Sequence, residues 1–250
     1  MDAYLERFAE IPVLLYRRVS AKPLLNSKLK LYITTANLER QLKNVLRRGY
    51  TPVTFRELAG GLRPKKPILL TFDGGYDDNH RNLLYLLQQY RIKAVVFVTG
   101  DRAVTKNAWE MLEGEPEARL MSNAQLKECH TSGLVEIGSQ CMSYTHLPRI
   151  APEELADQMA RSKHNIEDVI GAEVLTVSYP YGDYGNREVS AAQAAGYTFA
   201  VGGAGGPKKF ASDPYRIRRI AIAPTETRWQ FFKKTSGFYL RYCDFRGIDE

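Results

Sequence analysis

The sequence predicts an α/β protein built on a parallel sheet that is closed, or nearly closed, into a barrel. Two observations carry this. Short continuous apolar runs at 68–72 and 94–98 read as strands buried on both faces, the pattern of a parallel sheet. Such runs alternate along the chain with amphipathic stretches of helical period. The 250 residues contain no repeat and no low-complexity linker, and 44% hydrophobic with 25% charged residues is an ordinary globular composition, so residues 1–250 read as one domain.

The elements follow in order. Residues 12–16 read as the first strand. Residues 37–48 read as a helix, because Leu38, Leu42, Val45 and Leu46 recur at i, i+4, i+7 and i+8, with Asn37 as N-cap and Gly49 as the stop. The strand at 68–72 is followed by a helix at 79–90, with Leu83, Leu86, Leu87 and Tyr90 on one face and Asp78 as its cap. After the strand at 94–98, the long polar segment 101–121 reads as a lid or rim. A short helix at 123–129 and a strand at 135–138 come next. The long helix at 152–170 tolerates Pro152 in its first turn and places Leu155, Met159, Ile166 and Ile170 near one face. A strand at 174–179, a helix at 190–195, a strand at 199–201 and a last strand at 218–222 close the series. The glycine-rich loop 202–209 lacks the order of a phosphate-binding motif. The tail 227–250 holds Trp229, Phe231, Phe232, Phe238, Tyr239, Tyr242 and Phe245, an aromatic density that predicts packing on the barrel.

Bulk properties exclude several classes. The formal net charge of +7 favours an anionic partner, but there is no nucleic-acid motif and no basic stripe with interleaved aromatics, so a generally basic surface is the reading. No run approaches the roughly 20 apolar residues of a membrane span. The first residues lack the basic and apolar regions of a signal peptide, and the expected location is cytoplasmic. Cys129, Cys141 and Cys243 form no Cys-x-x-Cys pair, which argues against structural zinc and fits a reducing compartment.

The chemistry concentrates at residues 68–79. An apolar run ends in Asp73, then come Gly74, Gly75, Tyr76 and the acids Asp77 and Asp78. A strand that delivers an acid to a glycine turn is a common way to build a site at the C-terminal end of a barrel strand. Asp73 reads either as a catalytic base or as a buried carboxylate hydrogen-bonded by its surroundings. Asp77 reads as solvent-facing.

Thr71-Phe-Asp-Gly-Gly-Tyr76 resembles the first motif of the polysaccharide deacetylase family (the NodB-homology domain), which reads Thr-Phe-Asp-Asp-Gly-Tyr. Further segments match in the family's order: Ile11-Pro-Val-Leu-Leu-Tyr-Arg-Arg-Val19, Gly49-Tyr-Thr-Pro-Val-Thr54, Val135-Glu-Ile-Gly-Ser139 and Ser178-Tyr-Pro-Tyr-Gly182. Asp213-Pro-Tyr-Arg-Ile-Arg-Arg-Ile220 resembles the closing segment of the poly-N-acetylglucosamine deacetylase subgroup. The resemblance implies an irregular (β/α) barrel of about seven parallel strands, of the NodB-like glycoside hydrolase/deacetylase type. It also implies hydrolysis of non-peptide C–N bonds in amino-sugar glycans with a divalent metal such as zinc.

The resemblance breaks at the metal. The three ligand positions hold Gly74, Gln140 and Tyr144, in place of an acid and two histidines. Glycine has no side chain, glutamine offers one neutral oxygen, and tyrosine ligates only as phenolate, with a free pKa of about 10. Arg17 replaces a histidine of the opening motif. His80, His130, His146 and His164 leave the last third of the chain without the general-acid histidine that many members carry. No metal and no other cofactor is therefore expected.

The expected site has Asp73 as a would-be base and His146 as a candidate ligand or acid that swings in. Gln140 and Tyr144 are expected to fill the metal volume and hydrogen-bond Asp73. Tyr76 is expected at the cavity mouth. With Tyr181 and Tyr184, Tyr76 and Tyr144 would line a groove that stacks sugar rings, Tyr179 reading rather as core. The leading expectation is an inactive or impaired member of carbohydrate metabolism that binds an amino-sugar glycan or supports a partner enzyme, such as a fused glycosyltransferase-type domain. The alternatives are an active N-deacetylase with a non-standard site and a basic module for an anionic surface.

Overall fold

In the computed structural model, which describes residues 11–207 and 210–247, the strand that carries Asp73 lies inside the sheet, with a neighbour on each side. The strands are β1 (Val13–Tyr16), β2 (Arg18–Ser20), β3 (Tyr32–Thr34), β4 (Thr51–Val53), β5 (Pro67–Asp73), β6 (Ala94–Val98), β7 (Val135–Ser139), β8 (Thr176–Ser178), β9 (Phe199–Val201) and β10 (Ile220–Ala221). The main sheet runs β10-β1-β5-β6-β7-β8-β9 with every pairing parallel, and β4 pairs with the first residues of β5. β2 and β3 form a separate parallel ribbon.

The sheet curls until its two edges share one segment. Ile217 bridges to Val201 in β9, and the Arg219 N–H donates to the Gly203 carbonyl at 2.9 Å. Immediately afterwards Ile220 pairs with Leu14 of β1, and the Ile222 N–H donates to Leu15 O at 3.0 Å. This is the seven-stranded barrel-like sheet with surrounding helices that the sequence predicts.

The continuous apolar pattern of β5 has two destinations, because successive side chains face opposite sides of a sheet. Leu69 joins Val13, Val53, Val95, Phe97 and Val201 in one cluster, whereas Ile68, Leu70 and Phe72 join the large cluster under the helices. Thr71 and Asp73 share the parity of Leu69, so β5 delivers its carboxylate on the side of the smaller cluster.

Three local readings are corrected. The first helix is Thr35–Arg47, and its cap is Thr34, whose Oγ1 accepts from the Asn37 N–H at 3.2 Å; Asn37 instead donates its side-chain amide to Pro224 O. Thr34 ends β3, so the chain is already extended at the residue a cap requires. Asp78 makes no cap hydrogen bond: its carboxylate accepts from the Val19 N–H at 2.9 Å and from Arg18 Nε at 3.1 Å. The helix after it opens with a π turn, Asn79–Leu83, before Leu84–Tyr90. Asp77 is mostly buried, ion-paired to Arg81 and accepting from Gln125 Nε2 at 2.5 Å.

The helix Pro152–Ile170 stands where its periodicity places it and ends at Gly171 in the left-handed conformation. Asn186–Ala194 begins earlier than read, because Glu188 reaches back to the Gly185 N–H at 2.7 Å. The rim segment is pinned by antiparallel bridges from Tyr76 to Leu120 and from Lys106 to Arg119, and it carries a short helix, Ala108–Met111.

The tail forms helices Arg228–Lys234 and Tyr239–Arg246, which bury Phe231, Leu240 and Cys243. Trp229, Phe232, Phe238, Tyr242 and Phe245 remain exposed, so the tail packs through one face only. All three cysteines are free and buried, and burial pushes the Cys129 thiol up to about 12. No helix of the described residues is long and apolar enough to cross a membrane.

Candidate functional site

Asp73 sits at the last position of β5 with 2% exposure. Its partner is Arg219, just before β10. Arg219 Nη1 lies 2.6 Å from Oδ1 and Nη2 2.8 Å from Oδ2, a two-point charge-assisted contact. The guanidinium is held in turn: Nη2 donates to Ser178 Oγ at 2.9 Å and Nε to the Gly202 carbonyl at 2.8 Å. Ser178 Oγ is 3.3 Å from Asp73 Oδ2. Strands β5, β8 and β9 and the approach to β10 thus meet on one ion pair.

The next residue has no space for a side chain. Gly74 adopts φ +98°, and a Cβ there would lie 2.4 Å from the Tyr76 ring. Its N–H donates to Gln140 Oε1 at 2.9 Å. Gln140 is wholly buried, and its Nε2 has no hydrogen-bond partner. Gln140 is therefore a strut for the glycine turn.

Tyr144 belongs to a second network. Its hydroxyl accepts from Arg17 Nη2 at 2.7 Å and from the Tyr181 N–H at 3.3 Å. Burial raises its pKa, although Arg17 opposes the rise, so the phenol keeps its proton. Arg17 Nη1 also pairs with Glu110 Oε1 of the rim helix at 3.0 Å. Burial works against the Arg17 charge, but Tyr144, Asp73, Tyr76 and Glu110 together raise its pKa, so it stays a cation.

The expected residues are thus only partly brought together. Among the described residues Asp73 bonds to Arg219 and Ser178, and the expected hydrogen bonds from Gln140 or Tyr144 are not formed. Both side chains are engaged elsewhere, and an arginine satisfies a buried carboxylate better than an amide or phenol does. Tyr76 is 0% exposed and lies beneath the rim instead of at a mouth, because its strand-like bridge to Leu120 covers it. Tyr179 is buried in the large core cluster, its ring 4.6 Å from the ring of half-buried Tyr184. His146 does not swing towards Asp73: its Nδ1 lies 2.8 Å from Asp183 Oδ2, and its ring stacks on Tyr181 at 3.9 Å.

An aromatic row results. Trp109 stacks on Tyr144 at 5.1 Å, Tyr144 meets Tyr181 at 4.6 Å, and Tyr181 stacks on His146. Trp109, Tyr181 and His146 are half-buried. Sequence reading found Tyr144, Tyr181 and His146 but missed Trp109, Glu110, Ser178 and Arg219 as site residues. Glu110 and Trp109 lie in a segment read only as a rim. Arg219 was one charge in a basic cluster, and no local pattern distinguishes it from Arg216 or Arg218.

A divalent cation does not fit this arrangement. Among the described residues no three His, Cys, Asp or Glu side chains converge. Gly74 offers nothing, Gln140 has committed its oxygen and Tyr144 is a protonated phenol. The Asp73 carboxylate is already paired with Arg219, and the Glu110 carboxylate with Arg17, a second cation near Asp73.

Comparison with known proteins places this geometry. Residues 60–200 match the family described as polysaccharide deacetylase. Over 224 residues the chain is 27% identical to YxkH of Bacillus subtilis (strain 168), a protein carrying the polysaccharide deacetylase name, with 88% of this chain and 74% of that one covered. The crystal structure of a polysaccharide deacetylase from Bacillus cereus superposes with a TM-score of 0.76 at 25% identity, covering 91% of this chain and 69% of that one. The fold alone is shared with IcaB from Ammonifex degensii, at a TM-score of 0.74, 21% identity and coverage of 93% and 97%.

Proposed function

Since the chain belongs to the polysaccharide deacetylase family, we propose that it is a non-catalytic or strongly impaired member that binds a carbohydrate, with amino-sugar glycans as the ligand class. The observation that carries the reading is the Arg219–Asp73 pair. A general base must accept a proton from a water that is activated beside it; here Arg219 offsets the carboxylate's charge, and the side chains at 74, 140 and 144 are not a donor set that would hold an activating metal. Among the described residues no three His, Cys, Asp or Glu side chains come together beside it to hold such a metal.

The aromatic row supports glycan binding. Sugar rings present apolar C–H faces, and the half-buried rings of Trp109 and Tyr181 offer matching surfaces beside the polar edge of His146 and Asp183. Tyr144 locks the row to Arg17, so little ordering is left for the ligand to bring about. Such a protein would hold a glycan by itself or present it to a partner enzyme, including a glycosyltransferase-type domain. A reducing, cytoplasmic setting is part of the proposal and rests on the three free buried thiols.

A second reading has one observation in its favour. The His146–Asp183 pair beside Tyr181 is the type of oriented imidazole that serves as a general acid. In that reading the chain is an N-deacetylase with a non-standard site.

One experiment separates the two. Acetate release from chito-oligosaccharides is followed with and without added Zn²⁺ or Co²⁺, and binding of the same oligosaccharides is measured in parallel. Binding without turnover, weakened about tenfold or more by Trp109→Ala or Tyr181→Ala, is the expected result. Metal-dependent turnover abolished by Asp73→Asn would establish the enzyme instead. Binding that disappears with salt and ignores sugar identity would point to a basic interaction module.

A further inference from the structure

The Asp73 site gives no role to the aromatic tail. Its two helices, Arg228–Lys234 and Tyr239–Arg246, each point apolar side chains in two directions. One direction is accounted for, since Phe231, Leu240 and Cys243 are buried. The other is not. Trp229 and Phe232, one turn apart, lie ring against ring at 5.6 Å and 6°, and both are exposed. At 3.6 residues per turn, Phe238, Tyr242 and Phe245 share the face of the second helix opposite Leu240 and Cys243. All three are exposed, Phe245 to 87%.

Five aromatic rings held in water carry a free-energy cost that a covering surface would remove. The charges beside them indicate which surface. The two helices hold five cations, Arg228, Lys233, Lys234, Arg241 and Arg246, and one acid, Asp244. Asp244 is held by Arg218 at 2.7 Å and Lys234 by Glu226 at 2.8 Å. The other four cations are exposed. On the second helix the same periodicity sets Arg241 to one side of the aromatic stripe and Arg246 to the other, with the Arg241 guanidinium 6.0 Å from the centre of the Phe238 ring. A second copy of the chain would bring these cations against their like, whereas an anionic surface accepts them. The rings also project, Trp229 at 65% exposure, so the covering surface must yield to them. A bilayer yields, but a folded protein would need a matching pocket for each ring. Aromatic rings flanked by arginine and lysine are the side chains that settle at the boundary of head groups and acyl chains.

We propose that the two tail helices form a docking face for an anionic phospholipid surface, with the five rings at the acyl boundary and the exposed cations on the phosphates. The contact is peripheral and needs no membrane-spanning helix. The inference does not depend on whether the Asp73 site is catalytic or binds a glycan.

Co-sedimentation with vesicles of phosphatidylcholine alone, or of phosphatidylcholine with phosphatidylglycerol, tests it. The protein is expected to bind the phosphatidylglycerol vesicles about tenfold or more tightly than the neutral ones, and less tightly as salt rises. Trp229→Ala with Phe245→Ala should weaken that binding about tenfold or more, and so should Lys233→Gln with Arg246→Gln. All four residues are exposed, so both double variants should keep the wild-type thermal unfolding midpoint. Failure to bind the anionic vesicles overturns the proposal. Equal binding to neutral and anionic vesicles overturns it as well, and so does binding that neither double variant weakens. Sedimentation velocity without vesicles covers the remaining case: self-association abolished by Trp229→Ala with Phe245→Ala, in a protein that ignores vesicles, would assign the face to a second copy and overturn the lipid reading.

Discussion

Arg219 embraces Asp73 through both terminal nitrogens, and each side chain is 2% exposed. The two residues are 146 positions apart in sequence, and they meet because the segment before β10 is hydrogen-bonded to β9 while β10 itself lies against β1. Closure of the barrel and neutralisation of its carboxylate are one structural event.

The first prediction follows from the asymmetry of buried ion pairs. Removing one partner leaves an uncompensated charge and costs roughly 3–5 kcal/mol, whereas replacing both by apolar residues of similar volume is close to neutral. Arg219→Met alone should therefore destabilise the protein by about 3–5 kcal/mol, and Asp73→Leu with Arg219→Met should recover most of that loss. Urea unfolding of the single and double variants measures it. A single variant within about 1 kcal/mol of wild type would show that the pair is not closed in solution.

The second concerns Gly74. Its φ of +98° and the Tyr76 ring 2.4 Å from a built Cβ make any side chain strained there. Gly74→Asp should lower stability by about 2–3 kcal/mol, and Gly74→Asp with Gln140→His and Tyr144→His should bind Zn²⁺ no better than wild type. Tight Zn²⁺ binding by the triple variant would mean that only the ligands, and not the backbone and the arginines, keep the metal out.

The third uses pH. Burial raises the pKa of Glu136 in β7, although the Arg56 N–H and Thr176 partly offset it. A carboxyl whose folded pKa lies above its ordinary value near 4.5 is penalised when ionised in the folded state. That penalty is full above the folded pKa and fades as pH falls towards 4.5. The stability of Glu136→Gln relative to wild type should therefore be more favourable at pH 8 than at pH 4.5, as read by denaturant unfolding at the two values. An equal difference at both pH values would contradict it.

Much of the fold is legible residue by residue. The apolar runs that become β5 and β6 and the period that becomes Pro152–Ile170 are local signals, and burial only completes them. Caps were less legible, since Thr34 and Asn37 are both good cap residues and only the path of the chain out of β3 chooses between them. Asp78 is another such case: its sequence neighbours suit a cap, but β2 brings Val19 and Arg18 within reach and the carboxylate turns to them.

At the site the division is sharper. Residue identity alone settles which donors are present: glycine, amide and phenol stand at 74, 140 and 144, and no packing can make them a zinc-type set. What surrounds Asp73 instead comes from how the strands are arranged in space. Parallel strands place residues from distant parts of the chain at one end of a barrel, so the partner of Asp73 comes from residue 219 and that of Arg17 from the rim at Glu110. A buried carboxylate must find a cation or a proton, but one sequence contains many arginines, and strand order and curl select the one that arrives.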